Sequence, residues 1–557
     1  MSPQSSVGLE RYCVRRGMES TWSESGGVSI LRVRNDGSDW PEVASCGSLI
    51  AVGLVRLENR DELARRYRRT GETLGDLDLV LRHYRRLGAR AIRDLIGDFS
   101  FVIADTQSGT VLAARDAFGV RTLYVRRWGD VVVFSSRAEA LADHDRYDED
   151  YLVEFAAGVV PDPHRTPYAG VTAVPPASMA LTHAGAIEFR TYWRPTEFES
   201  GPVNDEQAAI EEFRGLLTQA VRVCLTDDGR TWSELSGGLD SSSIVCIAET
   251  LKREGKVAAG IAGTITYADS VGAGSDERVY SDSVVKTFDV RNEVLIDYLL
   301  LQATSPSAST TDTPSVRSLL AARDIATLRI LRESNARVLL SGIGSDHYLV
   351  GNMFFFADWI AKGESRRAVS EMLRWAALGR VSFWELAYLN ALLPLVPAPA
   401  RTRLARGARV PSWIAAGHHE RLALSARSAV AQSYGGQRGR QYAHEVAFST
   451  GAIALAIDHG LVADAVEMRY PFCHRPLVEF ALRLPPDMCR RPNARKWVLR
   501  EAMRGCLPEI VRTRRWKGAF DGRIAWSLLH ESARFEPLLT RSMLADMGCI
   551  DISQLRV

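Results

Sequence analysis

Short apolar runs separated by turn residues dominate the first third of the chain. Between residues 97 and 141 this pattern predicts a meander of four strands with turns at GlnSerGly and TrpGlyAsp: FSFVIAD, TVLAARD, TLYVRR and VVVFSS. Leucines at helical spacing precede them in LDLVLRHYRRLG, residues 77–88. The pattern therefore predicts an antiparallel α+β domain that runs to about residue 195.

The pattern changes after RPTEFESGPVNDEQ, residues 194–207, which is rich in Pro, Gly and acidic residues and indicates a linker. Apolar residues then recur at helical spacing from Ile210 to Val221, and helices alternate with β-rich runs: TWSEL, GIAGTITYA and RVLLSG. Such alternation favours an α/β domain with a doubly wound parallel sheet. Residues 353–440 differ, because they are helical, rich in arginine and aromatic residues, and interrupted by prolines. They predict a helical insert.

Composition narrows the class of protein. A chain of 557 residues is expected to form two to four domains. A net charge of +2 argues against a general attraction to nucleic acid or an anionic membrane, and no apolar run is long enough to span a bilayer. Eight scattered cysteines with no CxxC pair argue against a zinc site or a disulfide framework. We therefore expect a cytoplasmic protein.

One stretch carries a strong chemical signal. TWSEL predicts a strand, SGGLD a turn and SSSIVCIAETLKRE a helix, so a glycine-rich loop opens a helix N-terminus. Gly237 and Gly238 would allow positive φ and a close backbone approach, and the first N–H groups of the helix favour an anion such as pyrophosphate. Asp240 is unsuited to touch phosphate directly but suited to hold Mg²⁺. The alternative is an ordinary capped helix after a glycine turn.

The loop and further stretches together resemble one family. SGGLDSS is similar to the pyrophosphate-binding signature of the PP-loop ATP pyrophosphatases, and nearly the whole chain resembles the asparagine synthetase superfamily. The stretches that carry this resemblance are GDFSFVIAD with LAARDAFGVRTLYV, SDERVYS, LLSGIGSDHYLVGN, DHGLVADAVEMRYPF and ARKWVLREAMRGCLPEIVRTRRWKGAF. The resemblance implies an amidohydrolase-like (Ntn-type) β-sandwich domain over residues 1–195 and an ATP-dependent synthetase domain over residues 206–557. In such enzymes ATP and a carboxylate give an acyl-adenylate and pyrophosphate, and an amine then attacks the acyl carbon.

The resemblance also assigns site residues. Asp240 and Asp346 match the aspartates that ligate Mg²⁺. Glu467 matches a glutamate near the reacting amine, and Lys496 and Lys517 match lysines that face phosphate and the developing oxyanion. The positions expected to contact ATP are Leu235, Ser236, Gly237, Gly238, Ser241, Ser242, Thr266 and Gly342.

Each role has a structural alternative. Asp346 could cap a loop, Lys517 could belong to a solvated basic run, and Glu467 could pair with Arg469 at a helix end. Asp458 could support Glu467 or act as a cap, and the place of Thr266 depends on the strand register. Lone histidines usually satisfy local hydrogen bonds, so His347 and His474 are given no role.

Two departures from the family pattern indicate the product. Glutamine-dependent relatives need a cysteine directly after the removed methionine, with its thiol as nucleophile and its α-amine as base. Ser2 occupies this position and Cys13 lies too far inside, so we expect an inactive glutaminase-like domain retained as a scaffold. Ile343 stands where asparagine synthetases have a glutamate and β-lactam synthetases a tyrosine, and isoleucine can neither transfer nor polarise a proton.

The remaining prominent branch of the superfamily is the lasso peptide macrolactam synthetase, or lasso cyclase. It resembles the chain at VRLENRDELARRY, VPSWIAAGHHERLAL and RYPFCHRPLVEFALRLPP, although His474 replaces the acidic residue of the PFxD pattern. The resemblance implies ATP and Mg²⁺ as cofactors, a precursor peptide with an Asp or Glu acceptor as substrate, and a leader-peptide-binding protein and a leader peptidase as partners. MFFFADW and FWELAYLNALL would line a peptide pocket or, alternatively, pack between helices.

Two further functions stay open. One is a β-lactam synthetase or another amide-forming synthetase of the same superfamily. The other is a nucleotide-binding scaffold without activity, which the combination of Asp240, Asp346, Glu467, Lys496 and Lys517 disfavours. No nucleic acid or membrane partner is expected.

Overall fold

The computed structural model describes most of the chain. The described residues are 19–25, 28–34, 42–67, 72, 74–143, 146–159, 162–183, 185–198, 203–268, 277–296, 313–314, 320–350, 353–379, 381–397, 400, 410–423, 466–515, 529–540 and 542–555. They form two compact units, one built from residues up to Arg194 and the other from nearly all that follow. In the described part of the chain, no helix is long and apolar enough to cross a membrane.

The first unit is mainly antiparallel sheet. Its strands are β1 (Glu19–Ser25), β2 (Val28–Arg34), β3 (Glu42–Cys46), β4 (Leu49–Leu57), β5 (Gly97–Asp105), β6 (Thr110–Arg115), β7 (Tyr124–Trp128), β8 (Val131–Ser135), β9 (Thr172–Ala173), β10 (Ser178–His183) and β11 (Ala186–Thr191). Its helices are α1 (Arg60–Tyr67), α2 (Asp76–Leu87), α3 (Ala91–Asp94) and α4 (Glu149–Ala156). The helix predicted over residues 77–88 is thus confirmed as α2.

The four strands predicted between residues 97 and 141 are present, but they do not form one meander. β5 and β6 lie in a six-stranded sheet of order β11-β10-β6-β5-β4-β3, whereas β7 and β8 lie in a three-stranded sheet of order β8-β7-β9. Val125 of the smaller sheet packs with Ala113 and Ala180 of the larger one in a shared apolar cluster. The chain changes sheets between Arg115 and Tyr124 because Asp116 turns it there. One carboxylate oxygen of Asp116 accepts two backbone N–H groups and the other oxygen accepts a third.

The second unit contains the parallel sheet. Its strands are β12 (Thr231–Glu234), β13 (Gly263–Ala268), β14 (Asn292–Ile296), β15 (Val338–Leu340), β16 (Glu467–Arg469), β17 (Arg490–Arg491) and β18 (Ala494–Arg495). Its helices are α5 (Glu206–Cys224), α6 (Leu239–Arg253), α7 (Arg278–Phe288), α8 (Ala321–Glu333), α9 (Phe355–Ala361), α10 (Ser365–Gly379), α11 (Phe383–Glu385), α12 (Arg475–Arg483), α13 (Pro486–Cys489), α14 (Trp497–Ala502), α15 (Glu509–Arg512), α16 (Ser532–Thr540), α17 (Met543–Asp546) and α18 (Ile552–Leu555). A π-helix, Leu386–Leu392, continues α11.

The sheet order places a crevice at the carboxyl ends of β12 and β15. The order is β14-β13-β12-β15-β16, and all four neighbouring pairs are parallel. β13 and β14 lie on one side of β12, and the next strands in the chain, β15 and β16, lie on the other side of β12. Loops that leave the carboxyl ends of β12 and β15 therefore diverge, which leaves room for a ligand between them.

The helical insert has a core of its own. Phe355 and Phe356 of α9 pack with Met372 and Trp375 of α10 and with Leu386 of the π-helix. MFFFADW is thus mostly core, which agrees with the alternative that this run packs between helices. The second aromatic run differs, since Trp384, Tyr388 and Leu392 are 78%, 51% and 54% exposed.

Candidate active site

The turn after β12 is held by its own serines. The backbone N–H of Ser236 donates to Oγ of Ser241 at 3.1 Å, and the two hydroxyl oxygens lie 3.1 Å apart. The N–H of Gly238 donates to Oγ of Ser236 at 3.2 Å. Gly237 has a φ of +69°, but Gly238 has a φ of −74° and precedes the helix in an extended conformation. The expectation of positive φ therefore holds for Gly237 and is wrong for Gly238.

Gly237 is required for space as well as conformation. A Cβ atom at this position would lie 2.8 Å from the carbonyl oxygen of Glu277 and from the backbone nitrogen of Ser281. Arg514 braces the same turn: it donates to the carbonyl oxygen of Gly237 at 3.2 Å, pairs with Glu277 and lies 4.1 Å above the ring of Tyr280.

Arg514 and Glu277 were not predicted as site residues. Both lie in stretches that carry the family resemblance, SDERVYS and the run that ends in RTRRWKGAF. Their opposite charges were the available signal, but nothing local in the sequence pairs residues so far apart.

Lys496 joins the two predicted metal ligands. Its Nζ atom lies 2.7 Å from Oδ2 of Asp240 and 2.6 Å from Oδ1 of Asp346, and it donates to Oγ of Ser345 at 2.7 Å. The two carboxylate oxygens therefore lie within about 5 Å of one another, since each is within hydrogen-bond distance of one nitrogen atom. The structure thus brings together three residues that are far apart in the sequence.

Different elements deliver these three side chains. Asp240 lies in the first turn of α6, and Asp346 lies in a short 3₁₀ helix, Ser345–His347, shortly after β15. Lys496 follows the β17–β18 hairpin and adopts the left-handed conformation with a φ of 54°, which a residue with a side chain rarely adopts. Strain of this kind persists only where the surroundings impose it.

Gly342 lets the two aspartate loops approach. A Cβ atom there would lie 2.9 Å from the backbone nitrogen of Ser241 and 3.3 Å from Cβ of Asp240. The loop after β15 is therefore in contact with the start of α6, and any side chain at position 342 would push the two apart.

The residues present fit a cation and an anionic ligand. Oδ1 of Asp240 and Oγ of Ser242 are buried and have no hydrogen-bond partner among the described residues. A buried carboxylate oxygen without a donor is costly unless a cation binds it, and oxygen atoms are the ligands that Mg²⁺ prefers. No side chain caps the N-terminus of α6 at Gly238, so backbone N–H groups remain for a phosphate. The Asp346 side chain is 52% exposed, which leaves the site open on that side.

His347 directly follows Asp346, and its pKa is lowered. Burial lowers the pKa of His347, and Lys496 acts in the same direction while Asp346 opposes it.

Two expected nucleotide contacts have other partners. The Thr266 hydroxyl donates to the carbonyl oxygen of Leu235 at 2.8 Å and lies 3.0 Å from Oδ1 of Asn292, and Thr266 is 1% exposed. The backbone N–H of Leu235 donates to Ile265 at 2.8 Å, and the Leu235 side chain is fully buried. The Thr266 hydroxyl therefore supports the end of β12, and its contact with ATP stays a prediction.

Glu467 lies away from the aspartate loops. It pairs with Val338, the first residue of β15, whereas the loop that carries Asp346 begins after the last. Its carboxylate accepts a hydrogen bond from Arg469 at 2.8 Å, and Arg469 also donates to the carbonyl oxygen of Cys224 at 3.0 Å. The ion pair with Arg469 is thus present, on a strand rather than at a helix end. A role for Glu467 as proton acceptor stays a prediction.

Some predicted residues cannot be placed. Lys517, Asp458, Ser2 and Cys13 lie outside the described residues. Their expected roles, and the inactive state of the N-terminal domain, stay predictions.

The insert contacts the hairpin that carries Lys496. The side-chain amide of Asn493 donates to the carbonyl oxygen of Leu378 in α10, and the guanidinium of Arg490 lies 5.6 Å from the ring centre of Trp375. Burial lowers the pKa of Arg490, and the neighbouring Arg495 acts in the same direction. A short hairpin therefore connects the helical insert to Lys496.

Comparison with known proteins yields family matches. The Asparagine synthase family model matches residues 212–556, and the Glutamine amidotransferase domain model matches residues 34–193. The chain is 26% identical to glutamine-hydrolyzing asparagine synthetase 1 of Bacillus subtilis over 515 residues, which are 88% of this chain and 78% of that protein. It is 24% identical to asparagine synthetase 3 of the same organism over 485 residues, 82% of this chain and 72% of that protein.

One solved structure, a glutamine phosphoribosylpyrophosphate amidotransferase from B. subtilis complexed with ADP and GMP, aligns with 57% of this chain and 77% of its own. Its sequence identity is 13% and its TM-score is 0.22, too low to support an argument.

Proposed function

Because the chain belongs to the asparagine synthase family, we propose that its ATP-dependent, amide-forming chemistry is that of a lasso peptide cyclase. The substrate is a precursor peptide with an acidic side chain and a free N-terminal amine. The enzyme closes a ring between them as an isopeptide bond. The observation that carries the activation of the carboxylate is the convergence of Asp240, Asp346 and Lys496, and the features that favour a peptide substrate are Ile343 and the insert.

The first step is adenylation. An oxygen of the peptide carboxylate bonds to the α-phosphorus of ATP, and the bond from that phosphorus to pyrophosphate breaks. Asp240 and Asp346 would hold Mg²⁺, which neutralises phosphate charge when bound. Lys496, released from the carboxylates, supplies a compact positive charge to the phosphates, and the N–H groups at the start of α6 hold pyrophosphate.

The second step forms the amide. The peptide's neutral α-amine attacks the acyl carbon, AMP leaves with the bonding electron pair, and the proton lost from the nitrogen passes to solvent water. The peptide as a whole loses one water. An α-amine is partly neutral near pH 7, so holding it close to the acyl carbon supplies much of the rate without a strong base.

Two observations favour a peptide over free aspartate or ammonia. Ile343, next to Gly342 in the loop that carries Asp346, offers no group that could move a proton to or from a small amine. The insert, connected to the Lys496 hairpin through Asn493, presents Trp384 and Tyr388 to solvent. An exposed aromatic surface of this kind suits a peptide chain.

A β-lactam synthetase or another amide-forming enzyme would use the same aspartate and lysine arrangement. The partner proteins, a leader-peptide-binding protein and a leader peptidase, belong to the same proposal, as does a cytoplasmic location. An inactive nucleotide-binding scaffold would bind Mg·ATP and release no pyrophosphate with any carboxylate.

The test is reconstitution with a precursor peptide. A short reading frame beside the gene, encoding an N-terminal core glycine and a later acidic residue, would supply the candidate. We expect pyrophosphate release with Mg·ATP and a product lighter by one water, and neither with the acceptor changed to Asn or Gln. N-acetylated peptide should not cyclise. Pyrophosphate release without loss of water from the peptide would contradict ring closure and favour another amide-forming reaction.

A further inference from the structure

The carboxylate of Glu234 has no role in the chemistry proposed above. Glu234 is the last residue of β12, directly before the turn that leads to Asp240. Its Oε2 accepts a hydrogen bond from the Ser341 hydroxyl at 2.7 Å, and the Tyr267 hydroxyl approaches its Oε1 at 3.5 Å. The carboxylate at the end of the central strand β12 therefore makes its shortest hydrogen bond to the residue that follows the neighbouring strand β15.

Ser341 has a matching position. It follows the last residue of β15 and directly precedes Gly342, so it begins the loop that carries Asp346. Its backbone N–H donates to the carbonyl oxygen of Arg469 on β16 at 3.0 Å. The hydrogen bond between Ser341 and Glu234 thus joins the starting points of the two loops that converge on Lys496.

The sheet geometry gives this bond its importance. Ser233 of β12 pairs with Leu340 of β15, so Glu234 and Ser341 are the next residues in register. Beyond them no strand pairing joins β12 to β15, because the strands end there. The separation of the loops at this point is set by the Glu234–Ser341 contact and, further out, by the packing of Gly342 on Ser241.

A second layer holds Glu234 in place. The hydroxyl groups of Tyr267 and Thr327 lie 3.2 Å apart, and the guanidinium of Arg323 lies 4.4 Å from the ring centre of Tyr267. Arg323 in turn pairs with Asp324 at 3.3 Å. Burial and the nearby Glu234 raise the pKa of Tyr267 to about 12, so its phenol stays a neutral donor.

We infer that Glu234 is a positioning residue for the metal–nucleotide site: by accepting the Ser341 hydroxyl it fixes the distance between the Asp240 and Asp346 loops. Its effect is on the affinity for Mg·ATP and on the Mg²⁺ requirement, not on recognition of the peptide. This inference rests on the proposed function, because it assumes that the two loops bind Mg·ATP.

A direct measurement of Mg·ATP binding separates the positioning role of Glu234 from the proposed function. Isothermal titration calorimetry with Mg·ATP and no peptide would compare wild type with Glu234→Leu, Ser341→Ala, the double variant and Glu234→Gln. We expect each of the first two to weaken binding about tenfold, the size of one hydrogen bond to a charged group. The double variant should be no weaker than either single one, because both remove the same bond. Glu234→Gln keeps an oxygen for Ser341 and should stay within about threefold of wild type.

Ser178→Ala is the matched control, since it also removes one serine hydroxyl, which donates to the carbonyl oxygen of Pro176 at 3.1 Å in the first unit. It should bind Mg·ATP as wild type does. In pyrophosphate-release assays we expect Glu234→Leu to raise the Mg²⁺ concentration needed for half-maximal rate while the KM for the peptide stays constant. A general loss of stability would lower the melting temperature without this selective change.

The inference is overturned if wild type binds Mg·ATP and Ser341→Ala binds it equally well. Ser341→Ala decides even if Glu234→Leu does not fold, because it removes one oxygen atom only. Additive effects in the double variant, or a Glu234→Gln variant as weak as Glu234→Leu, would also refute the hydrogen-bonded tie. If wild type itself fails to bind Mg·ATP, the proposed function fails instead.

Discussion

The Nζ atom of Lys496 lies 2.6 Å from Oδ1 of Asp346, and the same nitrogen contacts Asp240. The positively charged ammonium group therefore lies between the two carboxylates. The two aspartates are kept close without the repulsion that two unpaired charges would exert.

Replacement of Lys496 should increase the response of the protein to Mg²⁺ alone. In Lys496→Met the carboxylates of Asp240 and Asp346 face each other without a cation, so we expect a loss of about 1–2 kcal/mol of stability. Millimolar Mg²⁺ without nucleotide should raise the melting temperature of this variant more than that of wild type, because the metal no longer competes with the ammonium group. Pyrophosphate release should fall at least about 100-fold.

Lys252→Met is the control for this experiment. Lys252 is largely exposed and lies 3.8 Å from Glu249 on the same helix as Asp240. It should respond to Mg²⁺ as wild type does. An equal Mg²⁺ response in Lys496→Met and wild type would show that the lysine does not compete with the metal.

Loss of charge at Asp346 should abolish turnover. Asp346→Asn keeps the size of the side chain but removes the charge that Mg²⁺ requires, so we expect pyrophosphate release to fall at least about 100-fold. Asp289→Asn is the matched change, because Asp289 is exposed at the end of α7 in a left-handed conformation that asparagine adopts readily. Turnover of Asp346→Asn close to that of Asp289→Asn would mean that the metal binds elsewhere.

Two glycines with the same backbone conformation should differ in their tolerance of alanine. Gly237 and Gly255 have φ values of +69° and +66°, but only at Gly237 would a Cβ atom meet other atoms within 4 Å. Gly255→Ala should cost about 1 kcal/mol of stability and leave turnover unchanged. Gly237→Ala should in addition weaken Mg·ATP binding by at least about tenfold, as measured by calorimetry, because the turn must move away from Glu277 and Ser281 to admit a methyl group. A tenfold change corresponds to about 1.4 kcal/mol of binding free energy. Equal effects of both changes would show that the turn can move without loss of the site.

The first unit should show a pH dependence that originates at Asp116. Burial, assisted by Asp98, raises the pKa of Asp116 to about 6, and Arg115 opposes the shift. A carboxyl group whose folded pKa is raised stabilises the fold below its unfolded pKa of about 4, and this contribution is lost as the pH rises through about 6. The melting temperature of wild type minus that of Asp116→Asn should therefore be larger at pH 4.5 than at pH 7.5.

The corresponding free-energy difference is at most about 3 kcal/mol. Asp116→Asn also loses an acceptor for the backbone N–H of Arg121, but this cost does not depend on pH. A difference in melting temperature that is constant, or that grows with pH, would contradict the raised pKa.

The exposed aromatic residues of the insert should affect the peptide and not the nucleotide. Trp384→Ala combined with Tyr388→Ala should raise the KM for the precursor peptide about tenfold or more, because buried aromatic contacts dominate such interfaces. The affinity for Mg·ATP should not change. Ile325→Ala on α8, also exposed, is the control. An unchanged peptide KM in the double variant would remove the insert from the peptide-binding surface.

Local patterns were sufficient to predict part of this architecture. The strand, turn and helix around Gly237 follow from an apolar run, two glycines and an amphipathic stretch, and the structure places β12 and α6 there. The break between the two antiparallel sheets was missed, because Asp116 turns the chain by accepting backbone N–H groups, which leaves no trace in hydrophobic alternation. β16 was not predicted either, since three residues are too few to show a period.

The site was predictable in its residue types more than in its geometry. The family resemblance pointed to Asp240, Asp346 and Lys496, and the structure brings them together. Their arrangement depends on the left-handed backbone of Lys496 and on the β17–β18 hairpin, and neither feature can be predicted from the sequence pattern. Thr266 shows the same limit, because its contacts with Leu235 and Asn292 depend on a strand register that the sequence leaves open.

Gly342 and Ile343 are neighbours under opposite constraints. Position 342 has no room for even a methyl group against Ser241, whereas the side chain at 343 is only half-buried. A change at the first position would damage activation of the carboxylate, and a change at the second would leave that step intact. Adjacent positions therefore separate what is fixed in such an enzyme from what is free to vary, so a lineage could exchange one acceptor amine for another without having to rebuild its means of activation.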